Sequence, residues 1–148
     1  MFKNKKLEFE INNGQLIVGD DYIRLSSVKM LCVRPSFMRI GQYSIHVNTK
    51  SMILELYFTG TEQEVQKEFL KLCAEIKKEN PQFYGIFYEY LVNFDNVKDV
   101  IYQNKKINSY AQVSFKSYGD LIFKASQDDF DKLKSDFDDY KDENNITI

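Results

Sequence analysis

The sequence predicts an α+β protein built as two antiparallel sheet-plus-helix lobes. Short runs of alternating apolar residues separated by turn residues predict strands, and two later segments with apolar residues three and four apart predict helices. The composition agrees, because 43% hydrophobic and 15% aromatic residues, including 12 Phe and 10 Tyr, can fill a core and favour strands. A chain of 148 residues has room for one ordinary domain or two small lobes.

The first lobe, residues 1–80, is predicted to open with a series of strands. Alternating apolar residues lead into Asn13-Gly14, a pair that readily takes the positive φ angles of a tight hairpin. Pro35 ends a later strand, because proline has no backbone NH to donate to a sheet. The predicted strands after the first turn cover residues 16–18, 22–25, 29–35, 43–47 and 53–58.

A change of period predicts a helix from Thr61 to Lys78. Its apolar residues are spaced 4, 3 and 4 apart and would share one face: Val65, Phe69, Leu72 and Ile76. Thr61 and Glu64 fit a capping box, in which each side chain accepts a hydrogen bond from a backbone NH at the start of the helix. Asn80-Pro81 would end the helix.

The second lobe, residues 81–148, repeats this order of elements. Residues 96–103 suit either a strand or a helix, and a hairpin is predicted to turn at residues 118–120. Ser126 and Asp129 fit a second capping box. The helix that follows has apolar residues spaced 3, 4 and 3 apart: Phe130, Leu133, Phe137 and Tyr140.

The aromatic stretch "GIFYEYLVN", residues 85–93, is interpreted as one strand buried on both faces. Alternation would place Ile86, Tyr88, Tyr90 and Val92 on one face and Phe87 and Leu91 on the other. An exposed surface on which unpaired bases stack is the alternative. No arginine lies near this stretch in the sequence to hold a phosphate backbone.

Two short segments of the chain follow the same pattern. Residues 57–65, "YFTGTEQEV", and residues 122–130, "IFKASQDDF", each combine an apolar pair, a hydroxyl residue, a carboxylate and a final large apolar residue. We interpret the chain as a degenerate ββ(β)βα repeat with an additional hairpin at the front, packed as one globular unit. Chance similarity is the alternative, since hairpins followed by capped helices are common.

The segments "GQLIV", "YIRLSSV", "KMLCV" and "YSIHV…ILELYF", with the helix from Glu62, follow one another in residues 14–78. In this order of elements the first lobe resembles small bacterial pleckstrin-homology-like domains. The resemblance implies a bent antiparallel sheet whose open end is closed by one helix. That family binds proteins, lipids or peptides on the same scaffold, so the resemblance does not select a ligand.

Few residues in the sequence suit catalysis. His46 is the only histidine, and alternation points it away from the face shared by Ile45 and Val47, so we do not expect a catalytic base. Cys32 and Cys73 are 41 residues apart in apolar surroundings, and we expect reduced core residues without a metal or other cofactor. The six glycines form no phosphate-binding loop. The protein is therefore not expected to be an enzyme.

The segment "RPSFMRIG", residues 34–41, is the first candidate binding site. It lies between a strand ended by proline and a hairpin entered after glycine, so we expect an exposed loop. Aromatic, methionine and arginine side chains are enriched at protein interfaces, and the loop contains Arg34, Phe37, Met38 and Arg39. The alternative is that the phenylalanine folds back onto the core.

The last helix is a second candidate because it is rich in carboxylates. The acidic surface would contain Asp128, Asp131, Asp138, Asp139 and Asp142. The simplest interpretation is the solvated face of an amphipathic helix. The alternative is a negative surface that mimics nucleic-acid phosphates or docks onto a basic partner.

Charge and composition favour a protein-binding function. A net charge of −2 does not suggest a general nucleic-acid-binding surface. Without a secretory signal or a membrane-spanning run, the expected location is cytoplasmic. The bias towards Lys, Asn and Ile is typical of A+T-rich coding DNA and suits a small bacterial or phage accessory factor, such as an inhibitor or immunity protein.

Two other functions remain open. One is a pleckstrin-homology-like module that binds anionic lipid through Lys29, Arg34 and Arg39, or that binds nucleic acid. The other is an acidic nucleic-acid mimic. Another protein is the favoured partner.

Overall fold

The computed structural model describes residues 6–104 and 107–144, and these residues form an α+β fold, as the sequence predicts. They contain two α-helices and eleven strands in three antiparallel sheets. The chain divides into two compact units, Met1–Asn93 and Phe94–Ile148. Neither helix in this described part of the chain is both long and apolar enough to cross a membrane.

The first unit opens with a small three-stranded sheet. Its strands are β1 (Glu10–Asn12), β2 (Gln15–Val18) and β3 (Asp21–Arg24), paired in the order β1-β2-β3. The predicted turn between β1 and β2 is confirmed, since Asn13 and Gly14 have φ angles of 52° and 73°. A short 3-10 helix, Leu25–Ser27, leads from β3 into the next sheet.

A five-stranded sheet and one helix make up the rest of this unit. The sheet has the order β6-β5-β4-β8-β7, and the helix, α1, packs against it. The bounds are β4 (Val28–Pro35), β5 (Tyr43–Thr49), β6 (Ile53–Gly60), α1 (Glu62–Glu79), β7 (Phe83–Ile86) and β8 (Tyr90–Asn93). The core between them includes Leu31, Ile45 and Val47 from the sheet and Val65, Phe69, Leu72 and Ile76 from α1.

The interpretation of residues 85–93 as one strand was wrong. The chain reverses at Phe87 and Tyr88, whose φ angles are 52° and 59°, so that β7 and β8 form a hairpin. Leu91 and Val92 are buried, but Phe87 is 43% and Tyr88 79% exposed. Sequence patterns do not indicate this turn, because aromatic residues rarely adopt the left-handed backbone conformation that Gly and Asn favour.

The β7–β8 hairpin also determines where the chain divides. β8 pairs with β4, with Met30 opposite Val92, Leu31 opposite Leu91 and Cys32 opposite Tyr90. The hairpin therefore belongs to the unit Met1–Asn93. The division falls after residue 93, whereas the repeat pattern in the sequence predicts a boundary after residue 80.

The second unit contains a three-stranded sheet and the second helix. After a 3-10 helix, Phe94–Asn96, come β9 (Val97–Asn104), β10 (Ser109–Phe115), β11 (Asp120–Lys124) and α2 (Gln127–Glu143). The ambiguous residues 96–103 thus lie largely in a strand, β9. The order of elements from β2 to α1, a hairpin, a 3-10 helix, three strands and an α-helix, recurs from β7 to α2.

Candidate protein-interaction site

The predicted loop lies at the connection between β4 and β5, in the first unit. We call residues 34–41 the interaction loop; Arg34 and Pro35 are the last residues of β4, and the others project beyond the strand. The Ser36 NH donates to the Gln42 carbonyl at 2.8 Å, and the Gln42 NH donates to the Arg39 carbonyl at 3.1 Å. Gly41, with φ of 82°, allows the chain to return into β5. These contacts close the base of the loop.

The interaction loop exposes three large apolar side chains. Phe37 is 71% exposed, Met38 76% and Ile40 101%, so the phenylalanine is not folded into the core. Arg34 and Arg39 are exposed as well. The structure therefore brings together all four predicted binding residues and adds Ile40, which the sequence analysis does not single out.

The backbone of the interaction loop is held by a carboxylate from β6. Glu55 Oε1 accepts a hydrogen bond from the Phe37 NH at 2.7 Å, and Glu55 Oε2 accepts one from the Ser36 hydroxyl at 2.9 Å. Ser36 Oγ in turn accepts from the NH groups of Met38, at 3.2 Å, and Arg39, at 3.1 Å. Four groups of the loop are thus fixed through one glutamate.

A shift in the pairing of β5 and β6 explains why the sequence analysis missed Glu55. On either side of the shift, Ser44 pairs with Thr59 and His46 pairs with Glu55. A regular antiparallel register that begins at Ser44 and Thr59 would place Tyr57, not Glu55, opposite His46. The register thus moves by two residues, and hydrophobic spacing gives no sign of such an irregularity.

His46 lies beneath the interaction loop. It is buried, with 3% of its surface exposed. Its Nε2 is 3.4 Å from Glu55 Oε1, and its ring centroid is 4.6 Å from that of Phe37. The imidazole thus supports the inner side of the exposed phenylalanine.

The protonation states of His46 and Glu55 favour an ordered loop at neutral pH. Burial lowers the pKa of His46, and the neighbouring Glu55 carboxylate offsets only part of this effect. Burial alone would raise the pKa of Glu55, but hydrogen bonds from the Phe37 NH and the Ser36 hydroxyl hold it below its usual range. The histidine is therefore neutral and the glutamate ionised at pH 7, so the glutamate is a strong acceptor for the loop.

Two depressions in the surface adjoin the interaction loop. A cavity of about 470 Å³ is lined partly by Phe37, His46 and Ile53. A larger groove of about 990 Å³ lies between the end of β4 and α1, and Arg34 borders both. The Arg34 guanidinium carbon is 5.8 Å from the centroid of the Tyr90 ring. A partner bound to the loop could therefore also contact the two concave surfaces that Arg34 borders.

The two cysteines are buried free thiols in the first unit. Cys32 also borders the smaller cavity, and burial raises its pKa. Burial raises the pKa of Cys73 to about 12. Both thiols are therefore protonated at neutral pH and poor nucleophiles. Within residues 6–104 and 107–144, no three His, Cys, Asp or Glu side chains are grouped so that they could hold a metal ion.

The cations of the alternative lipid-binding site are not brought together. Lys29 and Arg34 lie on the same strand, β4, five residues apart. Five residues of an extended strand span about 16 Å. Arg34 and Arg39 share the interaction loop, but Lys29 lies too far along the strand to close on the same phosphate group with them.

The predicted acidic surface lies on α2, in the second unit. Asp128, Asp131, Asp139 and Asp142 are exposed. Asp138 is different, because Lys134 and Lys141 lie 3.0 and 3.3 Å from its Oδ1. Burial alone would raise the pKa of Asp138, but these two lysines hold it below its usual range. The negative surface is thus partly neutralised by lysines of the same helix.

Comparison with known proteins adds no functional assignment. No family model matches the chain, and no curated protein matches it.

Proposed function

We propose that this chain is a non-catalytic module that binds another protein through the interaction loop. The observation that supports this most directly is the exposure of Phe37, Met38 and Ile40 on a loop whose backbone is fixed by Glu55. Exposed apolar groups of this kind mark contact surfaces. A loop held in one shape loses little conformational entropy on binding, which favours affinity.

The flanking charges define the kind of partner. Arg34 and Arg39 are exposed and flank Phe37 and Met38 in the sequence, and arginine forms bidentate hydrogen bonds with carboxylates. The partner would present an apolar patch with acidic residues at its edge. An accessory factor of a bacterium or phage, such as an inhibitor or immunity protein, would use a surface of this type.

The test compares a variant that changes the loop itself, a variant that changes its support on β6, and a control elsewhere in the same unit. The triple variant Phe37→Ser/Met38→Ser/Ile40→Ser removes the three exposed apolar side chains, including the Phe37 ring that packs on His46. The variant Glu55→Gln keeps those side chains but weakens the hydrogen bonds that fix them. Tyr22→Ser is the matched control, because Tyr22 is an exposed aromatic residue on β3 of the same unit. Circular dichroism establishes that all four proteins are folded.

Each protein is used as bait in an extract of the source organism, and any captured protein is then purified and its affinity measured. We expect one protein to be captured by the wild type and by Tyr22→Ser, to be lost with the triple variant, and to bind Glu55→Gln more weakly. Equal affinity for all four baits would contradict the proposal.

Two further measurements test the other classes of partner. Binding to vesicles that depends on anionic lipid and on Arg34 and Arg39 would favour a lipid-binding module instead. Binding to nucleic acid that weakens steeply with salt would favour a nucleic-acid-binding module. An acidic mimic would depend on the α2 carboxylates and not on the interaction loop. We expect none of these dependences.

A further inference from the structure

The smaller of the two depressions beside the interaction loop has the dimensions of a small-molecule site. Its volume of about 470 Å³ lies within the range of pockets that hold small ligands, about 300–1,000 Å³. Met30, Cys32 and His46 line it and are buried, so they form its floor. Phe37 and Ile53 also line it and are 71% and 54% exposed. The cavity is therefore open to solvent at its apolar edge.

The lining of this cavity has charge of one sign. Among the described residues, Arg34 is the only charged one that lines the cavity at neutral pH, because burial lowers the pKa of His46 and keeps the imidazole neutral. The larger groove differs, since its lining also includes Glu62 and Glu89. The smaller cavity thus complements an anion, whereas the groove does not.

The Arg34 guanidinium forms no ion pair with a carboxylate of the described residues. The groups that interact with it are the Cys32 thiol and the Tyr90 side chain, whose ring centroid lies 5.8 Å from the guanidinium carbon. Glu55 contacts His46 but does not line the cavity, and both of its carboxylate oxygens accept hydrogen bonds from the interaction loop. Arg34 is therefore available for a bidentate contact with the carboxylate of a ligand.

We propose that this cavity binds a small carboxylic acid with an apolar body. The carboxylate pairs with Arg34, and the apolar body lies against Phe37 and Ile53 over the buried Met30 side chain. Both parts are needed, because an uncharged ligand leaves the arginine without a counter-ion and a bare carboxylate leaves the apolar lining in contact with water. The inference goes beyond the proposed function, since such a ligand binds without a partner protein.

Three probe molecules separate the two parts of the ligand. Hydrocinnamate has a phenyl ring and a carboxylate, hydrocinnamamide keeps the ring without the charge, and acetate keeps the charge without the ring. His46 is the only histidine in the sequence and lies in the cavity floor, so its ring gives a single reporter signal in NMR spectra of the untagged protein. We expect hydrocinnamate to shift this signal with a Kd of about 1 mM, a value typical of ligands of this size. The other two probes should bind about ten-fold more weakly or not at all.

Two arginines of the same loop provide a matched pair of variants. Arg34→Gln should weaken hydrocinnamate binding by about ten-fold or more, because hydrogen bonds between charged groups are lost. Arg39→Gln should bind like the wild type, since Arg39 is exposed on the same loop but does not line the cavity. Arg34→Lys keeps the charge and should bind more tightly than Arg34→Gln. The backbone NMR spectrum of each variant shows whether the first unit keeps its fold.

Ile53→Ala tests the apolar edge separately, because it shortens an exposed side chain of β6 and leaves Arg34 in place. We expect weaker binding of hydrocinnamate and unchanged binding of acetate.

The outcomes that would overturn this inference are distinct from those that bear on the proposed function. An unchanged His46 signal with about 20 mM hydrocinnamate, well above the expected Kd, would exclude the cavity as a site for such acids. Equal binding of hydrocinnamate and its amide, or equal affinity of Arg34→Gln and Arg39→Gln, would remove the role of Arg34. The proposed function is measured independently, by capture of a protein with the wild type and Tyr22→Ser but not with the triple variant, so either proposal can fail while the other stands.

Discussion

The two α-helices begin in the same way but are held by different interactions. Each starts with a capping box, formed by Thr61 and Glu64 in α1 and by Ser126 and Asp129 in α2. α1 then buries six side chains: Val65, Glu68, Phe69, Leu72, Cys73 and Ile76. α2 buries two, Leu133 and Phe137. The same start signal therefore precedes a helix anchored by packing and a helix with little buried surface.

The ion pairs on α2 do not replace the packing that it lacks. Lys132 pairs with Asp136 at 3.1 Å, and Lys134 and Lys141 both pair with Asp138. Pairs of this kind, one helical turn apart, add only a few tenths of a kcal/mol each. The comparison shows that a cap fixes where a helix begins, whereas its stability depends mainly on the side chains that the next turns bury.

The largest effect is expected from removing one buried phenylalanine in each helix. Phe69→Ala and Phe137→Ala should each cost about 3–5 kcal/mol, because each deletes a ring that is 1% exposed. The consequence should differ, since α1 keeps five other buried residues and α2 keeps only Leu133. Amide hydrogen exchange should show α1 weakened but protected in Phe69→Ala, and α2 unprotected in Phe137→Ala. If the two helices kept equal protection in these variants, packing would not anchor α1 more firmly than α2.

A buried and an exposed carboxylate offer the next test. Glu68 Oε1 accepts from the Leu7 NH at 3.0 Å, and its Oε2 is 3.2 Å from Lys71 Nζ. Glu68→Met removes the acceptor and leaves the Leu7 NH unpaired, which should cost about 1–3 kcal/mol. Asp138→Asn, on the exposed face of α2, should cost less than about 1 kcal/mol. Urea denaturation of both variants at neutral pH measures the difference.

The contributions of Glu68 and Asp138 to the free energy of unfolding should both decrease in acid. Burial alone would raise the pKa of Glu68, but the Leu7 NH and Lys71 hold it below its usual range, and lysines lower that of Asp138. A lowered carboxyl pKa contributes stability above the pKa of the unfolded chain, near 4, and this stability is lost as the pH falls through the folded value. The free-energy gap between wild type and each variant should shrink below about pH 4. A gap that stays constant would contradict the assigned role of these charges.

Much of the secondary structure is visible in the sequence because it depends on local chemistry. The predicted helix from Thr61 to Lys78 differs by one residue at each end from α1, Glu62–Glu79, and both capping boxes form as predicted. Caps and hydrophobic spacing act within a few residues, so the sequence contains all the information they need.

The features that sequence patterns miss depend on strand pairing. The turn at Phe87 and Tyr88 breaks the usual residue preferences, and the pairing of β8 with β4 joins segments about sixty residues apart in the chain. The exposure of the interaction loop is predictable from Pro35 and Gly41. Its fixed shape is not, because the position of Glu55 depends on an irregular register between β5 and β6.

The smallest expected effect is a difference in how strongly salt weakens the ion pairs of the two helices. Lys134→Gln removes a pair with Asp138 in which both side chains are well exposed, at 39% and 43%, whereas Lys71→Gln removes a pair with Glu68, whose side chain is 7% exposed. At low ionic strength each substitution should cost about 0.3–0.5 kcal/mol. At about 1 M salt, screening should abolish the cost in α2 and leave part of it in α1, because the buried carboxylate is less accessible to ions. Urea denaturation of both variants at the two salt concentrations measures this, and equal screening of the two pairs would mean that Glu68 is solvated like Asp138.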